Sequence, residues 1–242
     1  MDFIRSILIN QTDSIEAALD IKAVAEEIKT IFPRCKVGTR PLPFVCEMAL
    51  DQAKIADIKQ PFEKQQNLEQ DNSMMTISLY DGFVMQRMFA EIIPSEETDL
   101  VDINIIFTNL LPCTFNEDDW RYHGRAVICG TPSIVSTTGI VEALAKPREF
   151  YLAQIGSVRT DNTNLKKKFA GRFIDYNDKE KITAASINYA LQTIFFFITD
   201  GEPFCNDKDC RLYNAHWQEE LLHIIEKRTL CIYHTNLANK FQ

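Results

Sequence analysis

Three cysteines and one histidine near the end of the chain have the types and spacing of metal ligands. Cys205 and Cys210 form a Cys-x4-Cys pair, and Cys231 and His234 form a Cys-x2-His pair twenty residues further on. Thiolate and imidazole are the donors that tetrahedral zinc takes. Two close pairs separated by a helix-sized insert let a chain grip one ion from two turns. The plain alternative is a set of free buried thiols, since cysteine is a common small core residue. Against it, three of seven cysteines and one of four histidines fall at ligand spacing within thirty residues. The expectation is one structural zinc, held by Cys205, Cys210, Cys231 and His234.

The insert carries a second set. His216, Glu219, Glu220 and His223 recur at i, i+3, i+4 and i+7, the spacing of one helical face. Both His-x2-Glu and Glu-x2-His are spacings that metals use. Seven residues of helix span about 10.5 Å, so one ion reaches only neighbouring members, and a solvated polar face explains the same pattern. His216, Glu220 and His223 stand as candidates for a second metal. A third candidate lies upstream, where Arg121, Arg125, Lys146 and Arg148 outnumber Glu142 and Glu149 beside Ser/Thr/Gly turns. With His123 and Glu142 they make a candidate patch for an anion or a peptide carboxylate. Ion pairing with the preceding acidic run is the structural alternative, and a lone histidine such as His123 is more often a hydrogen-bonded structural group than a ligand or base.

These side chains need elements to hold them. Ile182 to Thr199 (ITAASINYALQTIFFFIT) reads as a long helix feeding the Cys/His site, with Asp178 placed to cap it and Asp200-Gly201 to stop it. Its last turns, from Leu191 through Ile194, Phe195, Phe196, Phe197 and Ile198, are apolar almost all round, so it should be buried core. At the other end, Phe3 to Ile9 reads as a buried first strand, and Gln11 to Ser14 as a cap for a helix running from Ile15 to Pro33. Lys36 to Arg40 reads as a second strand and Phe44 to Ile58 as a second helix. Lys59 to Ser73 reads as an exposed loop or lid, and Ser78 to Ile93 as a helix. The methionines at 74, 75, 85 and 88 read as core filling.

Val101 to Leu111 is the clearest strand, apolar enough to be central and covered on both faces. Arg125 to Cys129 and Ser133 to Thr137 read as strands joined at Gly130-Thr131-Pro132. Thr138-Gly139 turns the chain into Ile140 to Ala145. Glu149 to Ile155 reads as another strand, and Lys166 to Lys168 as a solvated helix face. The strand–helix–strand opening points to an α/β fold, a twisted mixed sheet with packed helices and a zinc-stabilised helical segment at the C-terminus. At 242 residues and 45% hydrophobic composition, the chain suits a single domain, with residues 200–242 as its zinc subregion.

The residues leading into Cys205 resemble a known family. In archaemetzincins a helix reads His-Glu-x2-His-x2-Gly-x2-His-Cys and runs into Cys-x4-Cys, with a Cys-x2-Cys further on that completes a structural zinc site. With the first cysteine of that pattern on Cys205, the motif glycine falls on Gly201 and the next cysteines on Cys210 and Cys231, while His234 replaces the last. The three catalytic histidines fall on Ile194, Ile198 and Phe204, and the general base on Phe195. The chain also resembles an uncharacterised archaeal family described as metallopeptidases. The resemblance implies a metzincin-like fold that keeps the structural zinc and lacks the catalytic one.

Composition narrows the function. A net charge of −8 and a pI near 5.1 argue against non-specific nucleic-acid binding. No run of apolar residues is long enough to span a membrane, and the start shows no secretory leader, so a cytoplasmic location is expected. An odd number of cysteines suits reduced thiols and a metal better than a disulfide framework. Three functions follow: a non-catalytic zinc-stabilised protein binding a peptide or protein partner through the old cleft, a working metal-dependent hydrolase with a relocated site, or a structural subunit. A relocated site would draw on His123 with Glu142, or on His216 with Glu220 and His223.

Overall fold

The computed structural model describes residues 4–12, 15, 17–42, 47–59, 76–99, 101–156 and 168–241. Its centre is a five-stranded sheet in the order β2-β1-β5-β9-β8. The strands are β1 (Ser6–Gln11), β2 (Lys36–Pro41), β5 (Asp102–Thr108), β8 (Val127–Ile128) and β9 (Ser133–Ser136). β1, β2, β5 and β9 are parallel, and β8 closes one edge antiparallel to β9. All seven residues of β5 are buried, as expected of a strand with layers on both sides. Alternation divides them between two cores. Ile103, Ile105 and Phe107 join one with Ile7, Ile9 and Val135, while Ile106 joins the other with Ile134 and Ile128.

The first core is roofed by two helices. α1 (Ile21–Ile31) makes the crossover from β1 to β2, capped by Asp20, whose Oδ1 accepts from the Ala23 amide at 3.1 Å. The helix expected from Ile15 thus starts at Ile21, and Ile15 and Leu19 are buried in the segment before it. The other roof is the 20-residue helix Lys179–Ile198, here α6. It is buried nearly all round, as its apolar last turns required. Asp178 makes no side-chain cap and pairs with Lys181 instead. Asp200 and Gly201 both adopt positive φ, 53° and 104°, and the Gly201 amide returns to the Phe196 carbonyl at 2.8 Å, so the stop signal works as expected.

A second, four-stranded sheet in the order β3-β4-β6-β7 was not expected. It comprises β3 (Lys54–Lys59), β4 (Thr76–Asp81), β6 (Leu111–Asn116) and β7 (Arg121–Gly124). It corrects two helices. The segment 44–58 divides into a short helix α2 (Glu47–Ala53) and strand β3, and Ser78–Ile93 divides at Asp81 into β4 and α3 (Gly82–Ile92). Asp81 forces that division, because its carboxylate accepts from the Phe83 and Val84 amides at 3.0 Å and starts the helix there. The segment Glu149–Ile155 is also helical, within α5 (Arg148–Gly156). Pro147 before it and Glu149 in its first turn are helix-start signals that outweigh its short apolar run. The expected loop or lid lies outside the described residues apart from Lys59, as do Met74, Met75, Lys166 and Lys167.

α4 (Thr137–Glu142) follows β9 and is capped by Ser136, whose hydroxyl accepts from the Gly139 amide at 2.8 Å. Gly139 lets this helix lie on the 125–126 backbone, where a Cβ would stand 2.2 Å from the Arg125 carbonyl oxygen.

At the start of β5, the Asp102 side chain is 3% exposed. Arg5 grips it through both Nε, at 2.9 Å, and Nη2, and the Ser6 hydroxyl donates at 2.7 Å. These bonds, the guanidinium's first, hold the Asp102 carboxyl below the usual range, against the opposing effect of burial. With the folded pKa below the unfolded one, this contact adds stability above the ordinary carboxylate range and loses it as pH falls through the lowered value. Urea midpoints followed from about pH 7 to about pH 2 should therefore drop, and Asp102→Asn should lower the neutral midpoint and flatten the acid slope. An acid slope unchanged by the substitution would remove Asp102 as a contributor.

Candidate metal centre

The end of α6 delivers the chain into a loop that folds back on itself. The Cys205 amide donates to the Leu212 carbonyl at 2.9 Å, the Cys210 amide to Asp207 at 3.1 Å and the Tyr213 amide to Cys210 at 2.9 Å. The Arg211 amide then donates to the Thr229 carbonyl at 2.8 Å, stitching the loop to the second residue after α7 (Gln218–Lys227). Two residues on, Cys231 stands at the N-terminus of α8 (Ile232–Lys240), and its carbonyl accepts from the Thr235 amide at 2.9 Å. Cys231 and His234 are three apart at a helix start, so their side chains lie over the same turn. Sequence separations of up to 29 residues are thus closed by a loop, a bridge and a helix cap.

The four ligand atoms lie within 4.8 Å of one another. Cys205 Sγ is 3.9 Å from Cys231 Sγ, and His234 Nδ1 is 3.7 Å from Cys210 Sγ and 3.1 Å from Cys231 Sγ. With zinc–sulfur bonds of about 2.3 Å and a zinc–nitrogen bond of about 2.0–2.1 Å, a tetrahedron has edges of about 3.8 Å between sulfurs and about 3.5 Å from sulfur to nitrogen. The cluster is thus close to the size of one zinc shell, and its Cys3His donor set is of a structural type. Cys210 and His234 are buried, while Cys205 and Cys231 are partly so.

The surroundings favour thiolates only in part. The Asp207 amide donates to Cys205 Sγ and the Cys231 amide to Cys210 Sγ, both at 3.4 Å. These N–H groups support negative sulfur, yet burial dominates. It pushes the Cys210 thiol up to about 12, with the neighbouring sulfurs adding to the rise, and raises Cys205 as well. Burial lowers the His234 pKa and so favours the neutral ring, the form a metal takes. A zinc ion taken up here would therefore have to displace protons from these thiols.

Behind the centre, Arg211 is a buried guanidinium, its side chain 6% exposed. Its Nε donates to Asn188 Oδ1 on α6 at 2.8 Å, and its Nη1 to Glu27 Oε1 on α1 at 2.6 Å. It anchors the metal loop to both roof helices, a role that nothing in the local sequence pattern signals. The ring of His234 meets Phe195 edge-on at 5.2 Å between centroids. Beside the centre, a depression of about 360 Å³ opens between the end of α6 and α8, with Phe204, Tyr233 and His234 in its wall.

The other candidates are arranged differently. His216 precedes α7 and does not share its face with Glu220 and His223. Glu220 Oε2 accepts from the His216 and Trp217 amides at 2.9 and 3.1 Å, so that carboxylate caps the helix. His223 Nε2 pairs with Asp209 at 2.6 Å, and Glu219 pairs with Arg172. These residues form no ligand cluster, since among the described residues the only such cluster is Cys205, Cys210, Cys231 and His234. Of the patch, His123 pairs with Asp119 at 2.8 Å and Lys146 with Glu142 at 3.6 Å, while Arg125 Nε donates to Thr114 Oγ1 at 2.8 Å. Lys146 also stands over the rings of Phe150 and Phe173. Arg121 begins edge strand β7 and Arg148 begins α5, and none of the six lines the depression beside the metal centre. No helix among the described residues is long and apolar enough to cross a membrane.

With this geometry in place, the relatives are informative. A family described as "Probable metallopeptidase family (DUF6775)" matches residues 4–241. The chain belongs to this family. Membership agrees with the metallopeptidase relationship suggested by the residues around Cys205. No curated protein matches the chain. Two solved structures are similar to it. One is archaemetzincin from Methanopyrus kandleri, 10% identical with a TM-score of 0.48 over 97% of this chain and 94% of that one. The other is a zinc-dependent peptidase from Methanocorpusculum labreanum, 13% identical with a TM-score of 0.46 over 97% of this chain and 100% of that one. In this family member, Ile194 and Phe195 are fully buried and Ile198 is 8% exposed, all in the first core. Phe204 differs from these three. It follows the end of the helix and is 46% exposed.

Proposed function

We propose that this member of a metallopeptidase family is a zinc-stabilised binding protein that performs no hydrolysis through α6 and engages a peptide or protein partner. The observation that carries the reading is the chemistry at the end of α6. Ile194, Phe195, Ile198 and Phe204 stand at the positions that resemble three zinc ligands and a general base, and none can bind a metal or move a proton near pH 7. Three of them are also buried in the core, Ile194 and Phe195 fully. Cys205, Cys210, Cys231 and His234 would hold one zinc with no open position, and the ion would supply a crosslink among the loop, α7 and α8.

Elemental analysis of purified protein should give close to one zinc per chain. The zinc-loaded protein should leave unstructured peptides uncut above background. Two metals per chain, with cleavage abolished by chelation, would replace this reading with a hydrolase whose site lies elsewhere. The residues to change first would then be His216, Glu220 and His223, followed by His123.

A further inference from the structure

The depression beside the candidate metal centre is lined by both aromatic and aliphatic side chains and carboxylates. Phe204 and Tyr233 are 46% and 63% exposed, and Leu237 lies near them. Asp200 and Glu202 also line it, and among the described residues neither carboxylate has a hydrogen bond or an ion pair. His234 closes the side toward the metal. It is 3% exposed, and its contacts run through Nδ1 to the sulfurs, so Nε2 has no hydrogen-bond partner among the described residues. With Nδ1 on a metal, the neutral ring carries its proton on Nε2 and becomes a donor. Histidines that bind metals almost always give that second N–H to an acceptor. Among the described residues none is supplied.

Each feature selects for the same ligand. Ionised carboxylates only accept hydrogen bonds, and two unpaired ones call for a cation with several donors. Aromatic faces attract the same charge. Phosphate and carboxylate ligands would meet like charge. The Nε2–H asks for a neutral acceptor close to that cation, and a volume of about 360 Å³ suits a single side chain with its own peptide group. We propose that this pocket receives a protonated primary amine of a polypeptide, either a lysine side chain or a free amino terminus. Asp200 and Glu202 take the ammonium, Phe204 and Tyr233 cover its alkyl stem, and His234 Nε2 donates to the adjoining peptide carbonyl. The assignment rests on the reading of this chain as a binding protein and names what it binds.

The test uses the zinc-loaded full chain, isotope-labelled, titrated with three short unlabelled peptides. One has a single lysine and blocked ends, one has a free amino terminus and no lysine, and one has neither amine. Shifts of the Phe204, Tyr233 and Leu237 amides with the first peptide alone assign the pocket to a lysine side chain. Shifts with the second alone assign it to an amino terminus, and shifts with both assign it to either amine. Asp200→Asn with Glu202→Gln should weaken binding about tenfold or more at low salt. Both residues are exposed, so the variant should keep its zinc and its fold. Tyr233→Ala should weaken binding as well. Equal shifts with the amine-free peptide, no shifts with any peptide, or affinity unchanged in the double variant would overturn the inference. Mass spectrometry of the same samples separates this failure from that of the wider reading. A cut peptide overturns the non-catalytic function, whereas an intact, unbound peptide overturns only the amine site.

Discussion

Cys210→Ser should remove the metal and release the C-terminal segment while the central sheet stays folded. Cys210 is the most enclosed of the three sulfurs, fully buried between the loop and the start of α8. A serine hydroxyl there is a poor zinc donor, and the other three ligands are left with an incomplete shell. Apparent zinc binding in finger peptides is worth about 10–16 kcal/mol, all of it folding free energy. This chain has its own core, so the loss should be local. Leu212, Leu221 and Ile224 belong to the large core cluster and keep part of the segment in place, whereas loop 205–213 and α8 depend more on the ion. Zinc content should fall from about one per chain to near zero, because ligand count sets the site. Hydrogen exchange should quicken from about residue 200 onward and stay slow in β1, β5 and the first turns of α6. Cys129→Ser is the control, since Cys129 is a partly buried thiol that stands outside the cluster. Retained zinc and unchanged exchange in Cys210→Ser would mean that these thiols do no more than pack.

Among the elements legible in advance, β5 and α6 are those whose apolar pattern admits one interpretation. β5 is a short continuous run that only a doubly covered strand explains, and α6 is too long and too apolar for anything but a buried helix. The Cys/His centre was legible because ligand spacing is set by metal geometry, not by the fold around it. Errors fell where one pattern serves two structures. The apolar residues from Ser78 to Ile93 fit helical spacing, but the first of them also alternate, and Asp81 decides the matter through two amide bonds that no hydropathy pattern records. The second sheet was hidden in charge. Glu117, Asp118 and Asp119 look like part of a solvated run, yet they form the turn between β6 and β7, where Phe115 faces Tyr122 across the strands. His216 misled for a similar reason, because i, i+4 spacing is blind to where a helix begins, and Glu220 begins this one beyond it. Arg211 and the Phe195–His234 contact join residues 23 and 39 apart, and only the tertiary fold brings them together.

Phe195→Ala should be among the most destabilising single changes in the chain and should loosen the metal as well. The ring is fully buried, tilted against Phe32 at 6.1 Å and edge-on to His234 at 5.2 Å. Truncating a buried phenylalanine costs about 3–5 kcal/mol through lost burial and the cavity left behind. That is a large share of the roughly 5–15 kcal/mol that holds a domain folded. The contact with His234 adds a second effect, since a metal ligand that loses its packing partner gains rotamer freedom that zinc must then remove. Phe204→Ala is the informative comparison, because both phenylalanines occupy positions that resemble catalytic ones. Phe204 is 46% exposed, so its truncation should stay within about 0.5 kcal/mol. Ile194→Ala separates the two effects, as it should cost about 2–5 kcal/mol while leaving the His234 ring packed. Urea denaturation gives the stabilities, and the rate at which a chelator withdraws zinc gives the metal effect. If Phe195→Ala loses zinc no faster than Ile194→Ala at matched stability, the ring supports the core alone. If it costs less than about 1 kcal/mol, the end of α6 is not packed core, and the face that resembles a catalytic one has to be reconsidered as open.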